Sequence, residues 1–174
     1  GVKFETSTDT EIFASLIETS DKETIEEAIK EAVSKVKGSY SILILTVDKI
    51  IAVRDPNGFR PMALGRKGDS YIIASETCAL DIIDAIYIRE IDPGEFVVID
   101  SNGLRSQMIF SVGRKSMCVF ELIYFARPDS YLYKKNMYEV RHRMGQELAR
   151  ESKADGRPGR EWDRRKSIRC LSPG

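Results

Sequence analysis

Residues 40–47, which read YSILILTV, contain four consecutive aliphatic side chains. Successive side chains of a β-strand point to opposite faces of a sheet, so a strand that is apolar at nearly every position is typical of a sheet covered on both faces. The turn residues Asp48 and Lys49 and a second apolar run at 50–54 follow it, which predicts a hairpin. A sheet covered on both sides needs a layer on each side. We therefore expect an α+β fold in which two sheets pack between helical layers.

Two amphipathic helices are predicted before this hairpin. The first opens near Thr8 or Asp9, and either side chain can cap its free amides. The second begins with Ser20 and Glu23, which have the spacing of a capping box. Their apolar stripes comprise Ile12, Phe13, Leu16 and Ile17 in the first helix and Ile25, Ile29, Ala32, Val33 and Val36 in the second.

After the hairpin, short apolar runs alternate with turn residues, a pattern that predicts antiparallel strands. Asn102-Gly103 between two apolar runs is a strong hairpin signal. The expected strands lie at 62–64, 71–74, 86–91, 96–99 and 104–110, with a short helix at 77–83.

The segment 116–152 has a different pattern. Its apolar run 119–125 predicts one more strand, and a polar turn follows at 127–130. A helix is predicted after the turn, because Met137, Val140, Met144 and Leu148 recur at helical spacing.

Composition excludes several classes of protein. Lys and Arg number 27, as do Asp and Glu, and this balance argues against a nucleic-acid-binding protein. The apolar runs are far shorter than the roughly 20 residues of a membrane-spanning helix, so no membrane association is expected. Three widely spaced cysteines do not form a disulfide framework. We expect a cytoplasmic protein with reduced thiols.

These patterns divide the chain into three parts, at 1–113, 114–152 and 153–174. The last part is rich in arginine, has almost no apolar content and shows no periodicity. We expect it to be disordered, or to be translated out of the natural reading frame.

Several segments, taken in order, resemble the amidophosphoribosyltransferases. They read FETSTDTEIFASLIETS from residue 4, GSYSILILTVDKIIAVRDPNGFRPMALGR from 38, YIIASETCALDII from 71, IREIDPGEFVVID from 88 and CVFELIYFARPDS from 118. The piece RDPNGFRP would also suit related amidotransferases that make asparagine or glucosamine phosphate. The FARPDS segment with its helix is specific to the amidophosphoribosyltransferases, and the resemblance runs from about Phe4 to Ser152.

The resemblance implies an N-terminal-nucleophile glutaminase domain with an α-β-β-α sandwich, of which residues 1–113 are the latter part. Residues 114–152 then form the connector and the start of a phosphoribosyltransferase domain. In this family an N-terminal cysteine attacks glutamine, and its own α-amino group, with a pKa of about 8, can act as the base. This sequence begins with Gly1, so no catalytic residue is assigned and the segment alone is expected not to hydrolyse glutamine.

The resemblance also implies the reaction of the parent enzyme. Ammonia from glutamine passes to 5-phosphoribosyl 1-diphosphate, which gives 5-phosphoribosylamine, glutamate and diphosphate in the first step of purine biosynthesis. Mg²⁺ would accompany the diphosphate, and the full-length enzyme is expected to be a homo-oligomer. The rival interpretations are a sugar-phosphate-aminating amidotransferase and a regulatory or scaffold domain without a nucleophile.

By resemblance, Asp9 matches the aspartate that binds the α-amino group of glutamine. A carboxylate facing an ammonium group forms a strong, charge-assisted hydrogen bond. The competing interpretation is that Asp9 only caps the first helix.

By resemblance, Cys118 matches the first ligand of a 4Fe–4S cluster, which occurs in one branch of the family. Such a cluster takes four thiolates, and Cys78 and Cys170 do not match the other three. The competing interpretation is a buried structural cysteine. The charged residues Arg54, Asp55, Arg60 and Glu76 are expected to form ion pairs that support loops.

Overall fold

The computed structural model describes residues 6–111 and 115–152. Its helices are α1 Glu11–Glu18, α2 Ile25–Lys35, α3 Thr77–Ile82 and α4 Met137–Glu151, and a π-helix spans Glu121–Phe125. Its strands are β1 Ser41–Leu45, β2 Ile50–Arg54, β3 Ala63–Lys67, β4 Ser70–Ala74, β5 Ile86–Glu90, β6 Glu95–Asp100, β7 Gly103–Met108, β8 Tyr131–Leu132 and β9 Lys135–Asn136. The basic tail at 153–174 and the boundary between 113 and 114 lie outside the described residues, so both stay predictions.

The strands form two antiparallel sheets and a small hairpin. One sheet has the order β1-β2-β6-β7, the other has the order β4-β3-β5, and β8 pairs with β9. Asp100 and Gly103 are opposite each other where β6 turns into β7, and Gly103 has a φ of 102°. This pairing confirms the hairpin predicted from Asn102-Gly103. The φ of Gly103 is one that residues with a side chain disfavour, which explains the glycine at this position.

Alternating residues of β2 show how the layers stack. Ile51 and Val53 pack with Ile29 of α2, whereas Ala52 between them packs with Leu64 of the second sheet. One face of the first sheet is therefore covered by helices and the other by a sheet.

The second sheet repeats this alternation. Leu64 of β3 faces the first sheet, and its neighbour Ala63 packs with Leu80 of α3. The order of layers is helix, sheet, sheet, helix, which confirms the predicted α+β sandwich.

The prediction that 40–47 is covered on both faces is wrong at β1. Leu43 is 52% exposed, Leu45 81% and Val47 is fully exposed. Among the described residues β1 pairs with β2 alone and forms an edge of its sheet. A run of apolar residues does not distinguish an edge strand from a central one, because the difference depends on neighbours that are distant in sequence.

The starts of the first two helices also differ from the prediction. Thr24, not Ser20, caps α2, and its side chain accepts a hydrogen bond from the amide of Glu27. Thr10 precedes α1 and its side chain makes no capping hydrogen bond. The Asp9 carboxylate accepts from the Thr10 hydroxyl and not from a helix amide, so the capping role of Asp9 is wrong.

The apolar run 119–125 is not a strand. Glu121–Phe125 form a π-helix, and Leu122 packs with Leu132 and Met137 in a small separate core. The helix α4 is confirmed, but its stripe is only partly buried, since Met144 is 41% exposed and Leu148 64%. In the part of the chain that the structure describes, no helix is both long and apolar enough to cross a membrane.

Candidate functional site

The loop that follows β2 is held from inside by a buried arginine. Asp55 organises the same loop, because its carboxylate accepts hydrogen bonds from the amides of Asn57 (2.9 Å) and Phe59 (3.0 Å). The Arg54 guanidinium donates to the backbone carbonyls of Gly58 (3.0 Å), Arg60 (2.9 Å) and Ile91. Arg54 is only 2% exposed, so these bonds replace the water that the charge has lost.

Gly58 lets this loop lie close to the neighbouring turn. Its φ is 66°, and a Cβ at this position would overlap the ring of Pro93. Only a glycine combines this backbone conformation with this approach.

The connector, residues 115–136, lies along the outer edge of the loop. The amides of Ser116 and Cys118 donate to the carbonyls of Asn57 (2.9 Å) and Phe59 (3.0 Å). The Tyr133 hydroxyl donates to the same Phe59 carbonyl at 3.1 Å, and burial raises the pKa of Tyr133 to about 12. The hydroxyl therefore stays protonated and remains a donor at neutral pH.

Cys118 is buried beside a charged pair. The Arg60 Nη1 atom lies 3.7 Å from the Cys118 Sγ atom and 3.0 Å from the Glu121 carboxylate. Burial raises the pKa of Glu121, while the nearby Arg60 guanidinium opposes this and the Glu76 carboxylate adds to it.

A second attachment of the connector lies at the start of α3. One carboxylate oxygen of Glu76 accepts hydrogen bonds from the amide of Arg127 (2.8 Å) and the hydroxyl of Ser130 (2.7 Å). The neighbouring Thr77 hydroxyl accepts from the amide of Tyr131 at 2.8 Å. Two consecutive residues of the sandwich thus hold one turn of the connector.

The π-helix is stabilised by a residue of α4. Arg141 donates to the carbonyls of Glu121 (3.2 Å), Leu122 (2.8 Å) and Ala126 (2.6 Å). The Leu122 and Ala126 carbonyls therefore gain a partner from the next element, and the Glu121 carbonyl accepts from Arg141 in addition to the Ala126 amide.

The charged residues of this region were expected to form ion pairs. Arg60 does pair with Glu121, whereas Arg54, Asp55 and Glu76 bind backbone groups of the loop and the connector. For Arg54 the sequence did contain a signal of a structural role, because a charged residue stands at the end of an apolar strand. No local pattern indicates that Glu76 binds a segment fifty residues away.

A metal cluster needs several ligands close together. Among residues 6–111 and 115–152, no group of three or more His, Cys, Asp or Glu side chains could hold a metal ion. The thiol of Cys78 donates instead to Glu76, at 3.7 Å. The resemblance predicts Cys118 as one cluster ligand, and the described residues do not place further ligands beside it.

Comparisons with known proteins identify this arrangement. A family model described as a glutamine amidotransferase domain matches residues 1–81. The amidophosphoribosyltransferase of Bacillus subtilis strain 168 is 43% identical over 152 residues, which are 87% of this chain and 32% of that protein. The chain belongs to the amidophosphoribosyltransferase family. Amidophosphoribosyltransferase 2, chloroplastic, of Arabidopsis thaliana is 44% identical over 156 residues, which cover 89% of this chain and 28% of that one.

Solved structures of amidophosphoribosyltransferases have the same fold. A glutamine phosphoribosylpyrophosphate amidotransferase from B. subtilis, complexed with ADP and GMP, superposes with a TM-score of 0.85 at 43% identity. The match covers 89% of this chain and 34% of that one. The chain thus spans about a third of the length of its amidophosphoribosyltransferase relatives, and the resemblance stated from the sequence is confirmed.

The two candidate site residues lie in different parts of this amidophosphoribosyltransferase fold. Asp9 precedes α1 and is exposed, and its carboxylate accepts a hydrogen bond from the Thr10 hydroxyl at 3.4 Å. Cys118 is buried against the loop after β2. The structure therefore leaves the Asp9 carboxylate accessible to a ligand and encloses the Cys118 thiol.

Proposed function

We propose that this chain is the latter part of the glutaminase domain, with the connector, of an amidophosphoribosyltransferase. The whole protein would transfer ammonia from glutamine to 5-phosphoribosyl 1-diphosphate, forming 5-phosphoribosylamine, glutamate and diphosphate. The observation that carries this proposal is the extent of the match. The family model covers 1–81, which is compatible with many amidotransferases, whereas the relatives match through the connector as well.

Asp9 is proposed to bind the α-amino group of glutamine. Its exposure supports this role, because a carboxylate that is open to solvent can receive an incoming ammonium group. The loss of the capping interpretation supports it too, since the Asp9 carboxylate accepts from the Thr10 hydroxyl and not from an amide of α1.

Cys118 is proposed to be one ligand of a 4Fe–4S cluster, whose other thiolates would come from outside the described residues. The Arg60 guanidinium, 3.7 Å from the Cys118 Sγ atom, supports this role because it would offset negative charge on a bound cluster. Mg²⁺ is proposed to bind with the diphosphate of the second substrate. Iron and sulfide analysis of the anaerobically purified full-length protein tests the cluster, and a Cys118→Ser variant should lose it.

The protein is proposed to act in the cytoplasm as a homo-oligomer. Cys78 and Cys118 are both unpaired thiols, which suits a reducing compartment. Separation of cell fractions and sedimentation of the full-length protein would test these two points.

The experiment for the proposed activity uses the full-length protein. Phosphoribosylamine formation is measured with glutamine and, separately, with ammonium chloride as the nitrogen source. Asp9→Asn should lower the glutamine-dependent rate by about tenfold to a hundredfold, since a hydrogen bond to a charged group contributes roughly 1.5–3 kcal/mol. The ammonia-dependent rate should stay within about twofold, because Asp9 is proposed to contact glutamine alone.

Asp21→Asn is the matched control, because Asp21 is also exposed and lies near the same helices. It should leave both rates unchanged. Amination of a sugar phosphate in place of phosphoribosyl diphosphate would overturn the proposed function and favour the rival class of amidotransferase. Failure of the full-length protein to release glutamate from glutamine would favour a scaffold domain.

A further inference from the structure

Glu76 occupies a position at which a different residue would serve its own helix better. It is the residue before α3, and its side chain makes no capping hydrogen bond to that helix. Serine, threonine, aspartate and asparagine are the residues that cap helices from this position. The local preference is therefore not met at Glu76, and such conflicts indicate a role in tertiary structure or function.

The Glu76 carboxylate is directed toward the connector. It accepts the Arg127 amide at 2.8 Å and the Ser130 hydroxyl at 2.7 Å, and Ser130 is fully buried. The Arg127 guanidinium is engaged with Asp129, at 2.9 and 3.0 Å. The contact of Glu76 with Arg127 is therefore with the backbone of the turn, and it restrains the path of the chain.

The connector turn also fixes the beginning of α4. The amide of Met137 donates to the Ser130 carbonyl at 3.0 Å, and that of Tyr138 donates to the Pro128 carbonyl at 2.9 Å. A continuous set of hydrogen bonds thus leads from α3 through Glu76 and the turn to α4.

We propose that Glu76 is a positioning residue that sets the orientation of the connector turn 127–130, and through it α4, relative to the two sheets. The consequence for catalysis, which is the coupling of glutamine hydrolysis to the use of its ammonia, rests on the proposed function. If ammonia made by the glutaminase part is used by a second part, the connector has to keep the two parts in register. Glu76 touches neither substrate in this proposal and acts through the turn.

Hydrogen exchange of the full-length protein measures how firmly the connector turn is held, through the protection of its backbone amides. Glu76→Ala removes both bonds to the turn, each with a net contribution of roughly 1 kcal/mol or somewhat more for a charged acceptor. The amides of Arg127 and Tyr131 should then exchange about tenfold to a hundredfold faster. Glu76→Gln keeps a carbonyl oxygen that can accept both bonds, so it should restore most of the protection. Glu23→Ala, at an exposed glutamate, is the control and should change nothing.

Steady-state assays of the same variants test the coupling. In Glu76→Ala, the ratio of glutamate released to phosphoribosylamine formed should rise by about threefold or more, while the ammonia-dependent rate stays within about twofold. Glu76→Gln should return the ratio toward that of the unaltered protein. A purely structural contribution would lower all rates together and leave the ratio unchanged.

Unchanged exchange at Arg127 and Tyr131 in Glu76→Ala would overturn the positioning role. Faster exchange throughout the sheets in both Glu76 variants would also overturn it, because the residue would then stabilise the whole fold. These exchange results do not depend on activity, so a failure of the proposed function would be recognised separately, by the absence of phosphoribosylamine with any nitrogen source.

Discussion

Replacing Leu45 with lysine should weaken the self-association of the isolated segment 6–152. Leu45 is 81% exposed and Leu43 52% exposed on β1, a strand without charged side chains whose outer edge has no strand partner among the described residues. An edge strand of this kind is a template for pairing with another copy, and lysine is the residue that natural proteins place there to prevent it. We expect the isolated segment to be prone to aggregation through this edge.

The magnitude follows from the exposed area. Fully burying a leucine side chain contributes roughly 1.5–3 kcal/mol, so the exposed four-fifths of Leu45 contribute about 1–2 kcal/mol per copy. An antiparallel pairing of β1 with β1 of a second copy counts this residue twice, about 2–4 kcal/mol in all. Leu45→Lys should therefore raise the dissociation constant by roughly thirtyfold to a thousandfold.

Sedimentation velocity over a range of protein concentrations measures the effect. Leu148→Lys is the matched control, because Leu148 is 64% exposed but lies on the helix α4, which has no unpaired strand edge. A segment that is monomeric at high concentration and unfolds in one cooperative transition would refute the reasoning. Equal effects of the two lysine variants would refute the assignment to β1.

Two further predictions concern stability and can be measured by native-state hydrogen exchange of the full-length protein. Gly65→Ala should destabilise β3 by about 1–3 kcal/mol, because the new Cβ would lie 2.8 and 2.9 Å from the Leu80 methyl groups. Gly145→Ala should instead stabilise α4 by about 0.5–1 kcal/mol, because the space around Gly145 is open and alanine favours a helix more than glycine does. Equal effects at the two glycines would contradict this. Burial would raise the pKa of Glu95, but hydrogen bonds from Arg89 (2.6 and 2.7 Å) and from the Asp92 amide outweigh it and hold the pKa below its ordinary value. This contribution is present above the ordinary glutamate pKa of about 4.3 and is lost as the pH falls through the lower pKa of the folded state. Glu95→Gln should therefore cost about 2 kcal/mol at pH 7 and progressively less as the pH falls through the lowered pKa of the folded state, and a pH-independent difference would count against the pair.

Local patterns predicted most of the elements and their order. The hairpins at Asp48-Lys49 and at Asn102-Gly103 are found as expected, because a tight turn and its flanking strands interact over a few residues. The assignment of Ser20 as the cap of α2 was wrong. Thr24 caps the helix, and it too is followed by a glutamate three positions later. The π-helix at Glu121–Phe125 was taken for a strand, because a short apolar run has no periodicity that separates the two.

The candidate site was predictable only in part. Cys118 could be singled out from its neighbours in sequence, but its burial beside Arg60 depends on a loop 58 residues away. The contacts of Glu76 with Arg127 and Ser130 span more than fifty residues and leave no local signature.

The sequence by itself indicated the family, through the resemblance of its segments to the amidophosphoribosyltransferases. It also determined the alternation of helices and strands and the two-sheet architecture, because these depend on turn chemistry and on the spacing of apolar residues. Tertiary structure alone decided which strand lies at an edge, which charged groups bind backbone instead of each other, and how the connector is attached to the sandwich. Those outcomes depend on which distant segments meet, and a side chain's partner across the fold is set by the packing of whole layers.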